Sequence, residues 1–276
     1  MVEFPDYDYY KDMPPNQRVT DGFNVTFPLL EIQTNVTINR IFNIDDENSA
    51  FSVIFQVEFE WYDLNLRFNY LNNEMRFNNI GVHEWNKIWK PELSFAILTG
   101  TAEQPKLLDE EILIKRNSGA ALSNNIETLF NNESYKGSQN SIYFKRIFQG
   151  EFVCEFSGVS QYPFGTNVCN FRMYLHGISN KMTLFKLLPL NVEAKKEVGE
   201  FIVERYFLLN SPREQINTVA VSFELLRSRT SIILVTYLPT ILMNMINQVD
   251  IRGLLVNVIF TNIELICILL LHVYRI

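Results

Sequence analysis

What the chain lacks narrows it first. Its 276 residues include only 3 Cys and 3 His, too few for a zinc cluster. His83, His176 and His272 stand far apart without metal-ligand spacing, so no metal is expected. There is no glycine-rich phosphate loop and no nucleophile elbow, which removes most enzyme templates. The chain is read as not an enzyme and as needing no cofactor. Positive charge is also short: 24 Lys and Arg against 31 Asp and Glu leave −7, which argues against a nucleic-acid partner. With 11 Gly and 10 Pro, neither disorder nor low complexity fits. Aromatic side chains, by contrast, are abundant. The 22 Phe and 12 Tyr suit strands better than a helical bundle.

Period-two patterning agrees. Phe51, Val53, Phe55, Val57, Phe59 and Trp61 alternate with Ser52, Ile54, Gln56, Glu58 and Glu60, so one face packs and the other is expected to be mostly wet. Val219, Val221, Phe223 and Leu225 repeat the alternation. Val36, Ile38, Phe42 and Ile44 predict a further strand, closed by a turn at Asp45-Asp46-Glu47-Asn48. Breaks at Asn72-Asn73, Thr99-Gly100, Asn131-Asn132 and Lys136-Gly137 punctuate the rest. The fold class is mainly β, an immunoglobulin-like sandwich over residues 1–229.

A membrane segment follows. Thr230 to Val249 carry no charged side chain, and roughly 20 apolar residues cross a bilayer as a helix. Pro239 would lie mid-span, leaving the Val235 carbonyl without its helical donor. Three glycosylation sequons begin at Asn24, Asn35 and Asn132, ahead of that span, and point to an extracellular domain. The opening Met1–Asp6 is acidic and has no signal-peptide core, so the expectation is that N-terminal sequence is missing.

The segment from Cys154 to Cys169, with Tyr162-Pro163-Phe164 inside it, resembles the Cys-loop receptors, the pentameric ligand-gated ion channels. Its second Cys stands six residues after the Pro, as in that family; the loop is one residue longer before the Pro, and Gly165 replaces the family's Asp. Further motifs appear in the family's order. Trp61-Tyr62-Asp63-Leu64-Asn65-Leu66 resembles Trp-x-Asp-x-Arg-Leu with Asn65 for Arg, and Trp89-Lys90-Pro91-Glu92 resembles Trp-x-Pro-Asp/Glu. Lys136-Gly137-Ser138-Gln139-Asn140 leads into the strand before the Cys pair, as in several invertebrate members. Leu226-Arg227-Ser228-Arg229 followed by Thr236 to Leu242 looks like the approach to a first transmembrane helix. The chain is similar to a divergent, invertebrate-like, truncated subunit.

The resemblance implies a Cys154–Cys169 disulfide, and closing such a loop stabilises by roughly 3 kcal/mol. It implies partners: a small-molecule transmitter, other subunits of a homo- or hetero-pentamer, and membrane lipid. It implies a plasma-membrane location, synaptic membranes included, with the N-terminal domain outside. Tyr162, Pro163 and Phe164 would form the contact that couples ligand binding to the helices; plain packing of an apolar turn is the alternative. By the family's spacing the pocket falls at His176, at Ala96 with Phe95 beside it, at Gln56 with Ile54 on the same face, and near Tyr206. These do not form the aromatic cage that holds an ammonium. His176 could read a carboxylate or a proton, with a purely structural part as the alternative.

After Gln248 the family pattern stops. In residues 250–276, Asn257, Thr261 and Leu265 share a helical face, but Glu264 in mid-membrane would cost about 2.5–3.5 kcal/mol unless it lines water. The expectation is a truncated or mis-spliced product, with intron sequence translated after Gln248. Two functions remain in view: a subunit of a neurotransmitter-gated ion channel, or a membrane-anchored binding or assembly-modulating domain that does not conduct.

Overall fold

Alternation of apolar and polar side chains organises the fold. The computed structural model describes residues 2–3, 11–15, 19–21, 24–26, 28–96, 104–117, 134–156, 165–176, 182–210, 218–228, 233 and 237–249. Its early strands are β1 (Val2–Glu3), β2 (Val19–Asp21), β3 (Asn24–Thr26), β4 (Leu30–Asp45), β5 (Ala50–Trp61), β6 (Arg67–Asn69), β7 (Leu93–Ala96) and β8 (Lys106–Lys115). They are followed by β9 (Ser134–Lys136), β10 (Ser141–Glu155), β11 (Asn167–Leu175), β12 (Thr183–Leu187), β13 (Asn191–Val192), β14 (Glu197–Val198), β15 (Phe201–Asn210) and β16 (Thr218–Arg227). Among the described residues the named helices are a 3-10 turn at Met75–Phe77, a single turn α1 (Val82–Trp85) and α2 (Leu238–Val249).

β5 is the centre. All six of its alternating apolar residues, Phe51 through Trp61, have no exposed surface. Its other face is less wet than expected: Ile54, Gln56, Glu58 and Glu60 are half-buried, and Ser52 is buried. β4 and β10 flank β5 along almost its full length, and their side chains shade that face.

The hydrogen-bonded order β12-β4-β5-β10-β11-β16-β15-β14 is continuous, with β8 beside β10, β13 beside β4 and β7 beside β11. It is nevertheless two layers, because residues remote along this order touch face to face. Phe55 of β5 lies 4.7 Å from Phe171 of β11 and 5.7 Å from Phe95 of β7, and Phe51 lies 4.8 Å from Phe223 of β16. Layer one is β12-β4-β5-β10-β8 and layer two is β7-β11-β16-β15-β14. The core between them is chiefly phenylalanine, with Phe148 and Phe152 also packed on Phe55. Each such ring pair adds about 0.5–1.5 kcal/mol beyond the burial of area. Among the described residues the seam joining the layers is Cys154 opposite Cys169 and Glu155 opposite Val168.

The Trp-containing motifs close one end of the sandwich. Trp61 and Trp89 meet edge to face at 5.6 Å, and Pro91 is buried beside them in sequence. The buried Asp63 carboxylate accepts the Asn65 N–H at 2.9 Å and shapes the turn after β5. Gly137 donates its N–H to the Leu66 carbonyl at 2.9 Å. A Cβ there would overlap the Asp63 carbonyl and come within 2.8 Å of that of Leu66, so only glycine fits.

Among the described residues no helix is long and apolar enough to cross a membrane. α2 occupies the second half of residues 230–249. Pro239 is the second residue of α2, and Tyr237 before it is also helical. The α2 side chains Leu242 and Met243 are exposed.

Candidate functional site

Register determines what shares a surface, since directly opposed residues in a sheet point the same way. In layer two Tyr174 opposes Ser94 and Thr218, Arg172 opposes Ala96 and Ala220, and Asn170 opposes Ser222. Across β16, Leu209 opposes Ala220, Phe207 opposes Ser222 and Arg205 opposes Glu224. The outer face of layer two therefore carries arginine, tyrosine, serine and apolar side chains in one field. Phe207 and Leu209 are exposed, whereas Thr218, Ala220 and Ser222 are buried beneath their longer neighbours. Arg205 Nε lies 3.6 Å from Glu224 Oε2.

His176 follows β11 at the margin of this face and is exposed. Its backbone N–H donates to the Glu92 carbonyl at 2.9 Å, and its Nδ1 lies 3.3 Å from Ser94 Oγ. Residues 92–94 thus fasten the histidine to the start of β7. Ser94 is a member of the site that motif spacing missed. Its signal was the alternation itself: with Phe95 turned inward, Ser94 and Ala96 must turn outward.

Gln56 and Ile54 lie on the other outer surface, that of layer one. Gln56 Nε2 donates to Glu58 Oε1 at 2.6 Å, and Asn35 Nδ2 donates to Glu58 Oε2 at 2.8 Å. Along the same face Tyr143 opposes Glu60 and Lys145 opposes Glu58. Burial, then the neighbouring carboxylates Glu58, Glu111 and Glu60, push the Tyr143 hydroxyl well above the ordinary tyrosine range. Ser141 Oγ donates to Glu60 Oε1 at 2.6 Å, with Lys115 Nζ 3.1 Å from the same oxygen. This wall is polar and internally hydrogen-bonded.

The five residues expected at a pocket between adjacent domains do not share one surface of the chain. Phe95 is in the core at 4% exposure, packed on Phe55 and Phe148, because it opposes inward-facing Met173. Tyr206 also turns inward, opposite Phe223 with ring centroids 6.3 Å apart, and desolvation raises its pKa. The aromatic that β15 presents outward is Phe207. The two remaining groups, His176 on layer two and Ile54 with Gln56 on layer one, face away from each other across the sandwich.

At the opposite end from the tryptophans, the Cys154–Cys169 disulfide pins the seam. Near it Arg227, the last residue of β16, pairs with Asp46 of the β4–β5 turn and lies 3.5 Å from Glu200 Oε2. Its guanidinium sits 4.9 Å from the Phe201 ring centroid. Burial lowers the Arg227 pKa. This cluster ties the strand that leads toward α2 to two turns of the sandwich. The expected coupling residues Tyr162, Pro163 and Phe164, and the sequon residue Asn132, lie outside the described residues. Asn24 begins β3, and Asn35 lies within β4.

A β-sandwich closed by this disulfide narrows the family, and comparison decides it. The neurotransmitter-gated ion-channel ligand binding domain matches residues 6–220. The chain belongs to that family. No curated protein matches it. Within the family domain, the Cys-bridged seam, the buried tryptophan pair and both outward walls all fall inside the matched residues except for the end of β16. The family is one of ligand-binding domains of neurotransmitter-gated channels, which makes small-molecule binding the chemistry to explain.

Proposed function

We propose that this chain is a subunit of a neurotransmitter-gated ion channel, binding a small transmitter between adjacent subunits and coupling that binding to pore opening. The observation that carries the reading is the division of the recognition residues. His176 and Ser94 stand on the outer wall of layer two, while Ile54 and Gln56 stand on the outer wall of layer one. One chain cannot close a pocket from two surfaces facing apart, but a ring of like domains brings the layer-two wall of one subunit against the layer-one wall of the next. Family membership supports the same arrangement.

In this reading residues 1–229 form the extracellular domain at the plasma membrane and residues 230–249 the first membrane helix. The exposed Leu242 and Met243 of α2 suit lipid or neighbouring helices. Bound ligand shifts the ring toward whichever state holds it more tightly. The rearrangement passes through the segment bearing Tyr162, Pro163 and Phe164 and through the Arg227 cluster. The lack of an aromatic cage, with Ala96 and His176 at its positions, argues for a ligand recognised by hydrogen bonds rather than a quaternary ammonium. Asn24 and Asn132 are its glycosylation sites; Asn35, a sequon by sequence, turns its amide to Glu58 on the layer-one wall that meets the next subunit, and so is left bare.

The test is the mass of the purified full chain in detergent, with thermal shift against a panel of amines and amino acids. A five-membered assembly stabilised by one of these ligands in proportion to its concentration supports the reading. A monomer that none of them stabilises refutes it. Binding without ligand-evoked current would favour the anchored, non-conducting alternative.

A further inference from the structure

Register lays out the outer wall of layer two row by row. One row runs Leu209, Ala220, Arg172, Ala96, so the arginine stands between two alanines and beside a position where family spacing puts the pocket. The row on one side is Phe207, Ser222, Asn170; that on the other is Thr218, Tyr174, Ser94. Phe171 and Met173 are buried, so alternation turns Asn170, Arg172 and Tyr174 outward together. Ala220 is buried while Phe207 and Leu209 are exposed. Taller side chains therefore surround a low floor in which Arg172 lies half-buried.

Two features of this floor point to a ligand. The first is its charge. These three rows carry no carboxylate among the described residues; the nearest acids in register stand one row further on at either end, Glu224, 3.6 Å from Arg205, and Glu92 beside His176. A guanidinium has five N–H donors in a rigid fork, so it can keep a neighbour and still offer a two-pronged edge to an incoming carboxylate. The second is Asn170, whose Oδ1 is closed off from solvent and accepts no hydrogen bond among the described residues. A buried acceptor without a donor costs free energy that an incoming N–H recovers. Asn170 and Arg172 stand two residues apart on one strand, about 7 Å, and only the short Ser222 separates Asn170 from Phe207 in its row. We infer that this floor takes an amino acid rather than a simple amine, Arg172 pairing with the carboxylate and Asn170 Oδ1 accepting from the ammonium once Phe207 turns aside. The inference rests on the reading that the layer-two wall faces the transmitter, and it adds the transmitter's chemical class.

The test is thermal shift of the full chain in detergent with glycine and 4-aminobutanoate, each beside its carboxamide and its deaminated acid. In the wild type both amino acids should bind at least about tenfold more tightly than their truncated analogues. Arg172→Gln should close the gap between amino acid and carboxamide to within about twofold, with Arg172→Lys intermediate, since an ammonium keeps the charge and loses the fork. Asn170→Ala should close only the gap to the deaminated acid. Carboxamides that bind as well as the amino acids, a gap that survives Arg172→Gln, or no binding by any of these compounds would each overturn the proposal. So would an Arg172→Gln variant that weakens every compound alike, as a merely structural arginine would. Should that variant fail to fold, phenylglyoxal on the wild type decides: amino acid should slow the modification of Arg172, read by peptide mass, and an unchanged rate overturns the proposal. A five-membered assembly stabilised by amines alone would sink this inference and leave the channel reading. An Arg172-dependent amino-acid response in a monomer would do the reverse.

Discussion

Removing the disulfide is the most informative single perturbation, because Cys154 and Cys169 join the layers where hydrogen bonding is thinnest. Among the described residues two pairs are in register between β10 and β11, and the cysteines are one of them. Both are essentially unexposed, at 1% and 0%. The bridge links residues 15 apart in sequence, and a loop of that size restricts the unfolded chain by about 3 kcal/mol in the entropy model. The double variant Cys154→Ala/Cys169→Ala should therefore lose about 3 kcal/mol of unfolding free energy. With a urea slope of about 2–3 kcal/mol/M, the midpoint should fall by about 1 M or somewhat more. The loss should be local as well as global. Amides at residues 167–169 and 154–155 should exchange faster than those of β5, because the seam has few bonds left to hold it. Urea titration with and without reductant is the assay. An unchanged midpoint on reduction, with retained β structure, would refute the argument that the bridge holds the layers together.

Four further outcomes follow from the structure. Phe55→Ala removes a fully buried ring that meets Phe95, Phe148, Phe152 and Phe171, and should cost about 3–5 kcal/mol in the same urea assay. Gly137→Ala should cost about 1–3 kcal/mol, because the Asp63 and Leu66 carbonyls belong to backbone and give way little; a neutral effect on melting would contradict the close approach. His176→Ala is at an exposed position and should shift stability by less than about 0.5 kcal/mol while abolishing ligand-induced thermal shift, a split that a merely structural histidine would not produce. The Asp45 carboxylate accepts Asn48 N–H at 3.0 Å, Asn48 Nδ2 at 2.7 Å and Glu47 N–H at 3.0 Å. These bonds, those from Asn48 foremost, lower its pKa below the ordinary 3.8, so its contribution is present above that value and lost as pH falls through the lower folded one. Carboxyl NMR should place the midpoint below 3.8 and show it rising in Asn48→Ala.

Much of the sandwich was legible because one side-chain period carries it. The alternation in Phe51–Trp61 named six buried residues of β5 and missed only Ser52, and the Asp45–Asn48 turn closed β4 as its residues demand. Of the Trp-x-Asp and Trp-x-Pro-Glu motifs, Trp61, Asp63, Trp89 and Pro91 are buried and Glu92 is exposed, since an indole at a layer end has few alternatives to packing. The site was less legible. Spacing along the chain says nothing of facing: Phe95 and Tyr206, expected at the pocket, both turn inward. A shift of one position reverses a side chain in a strand, so Ser94 and Phe207 stand where those two were expected to act.

The sequence by itself determined fold class, core and family, since these depend on period, composition and motif order, which are properties of a line of residues. Tertiary structure alone decided that His176 and Ser94 stand on one outer wall with Ile54 and Gln56 on the other, and that Arg146 of β10, paired with Glu110 of β8, shares the core-facing side of its layer with Val57. Charges along a sequence carry no face. Only the pairing of β10 with β5 and β8, and the folding of one layer over the other, assigns them one.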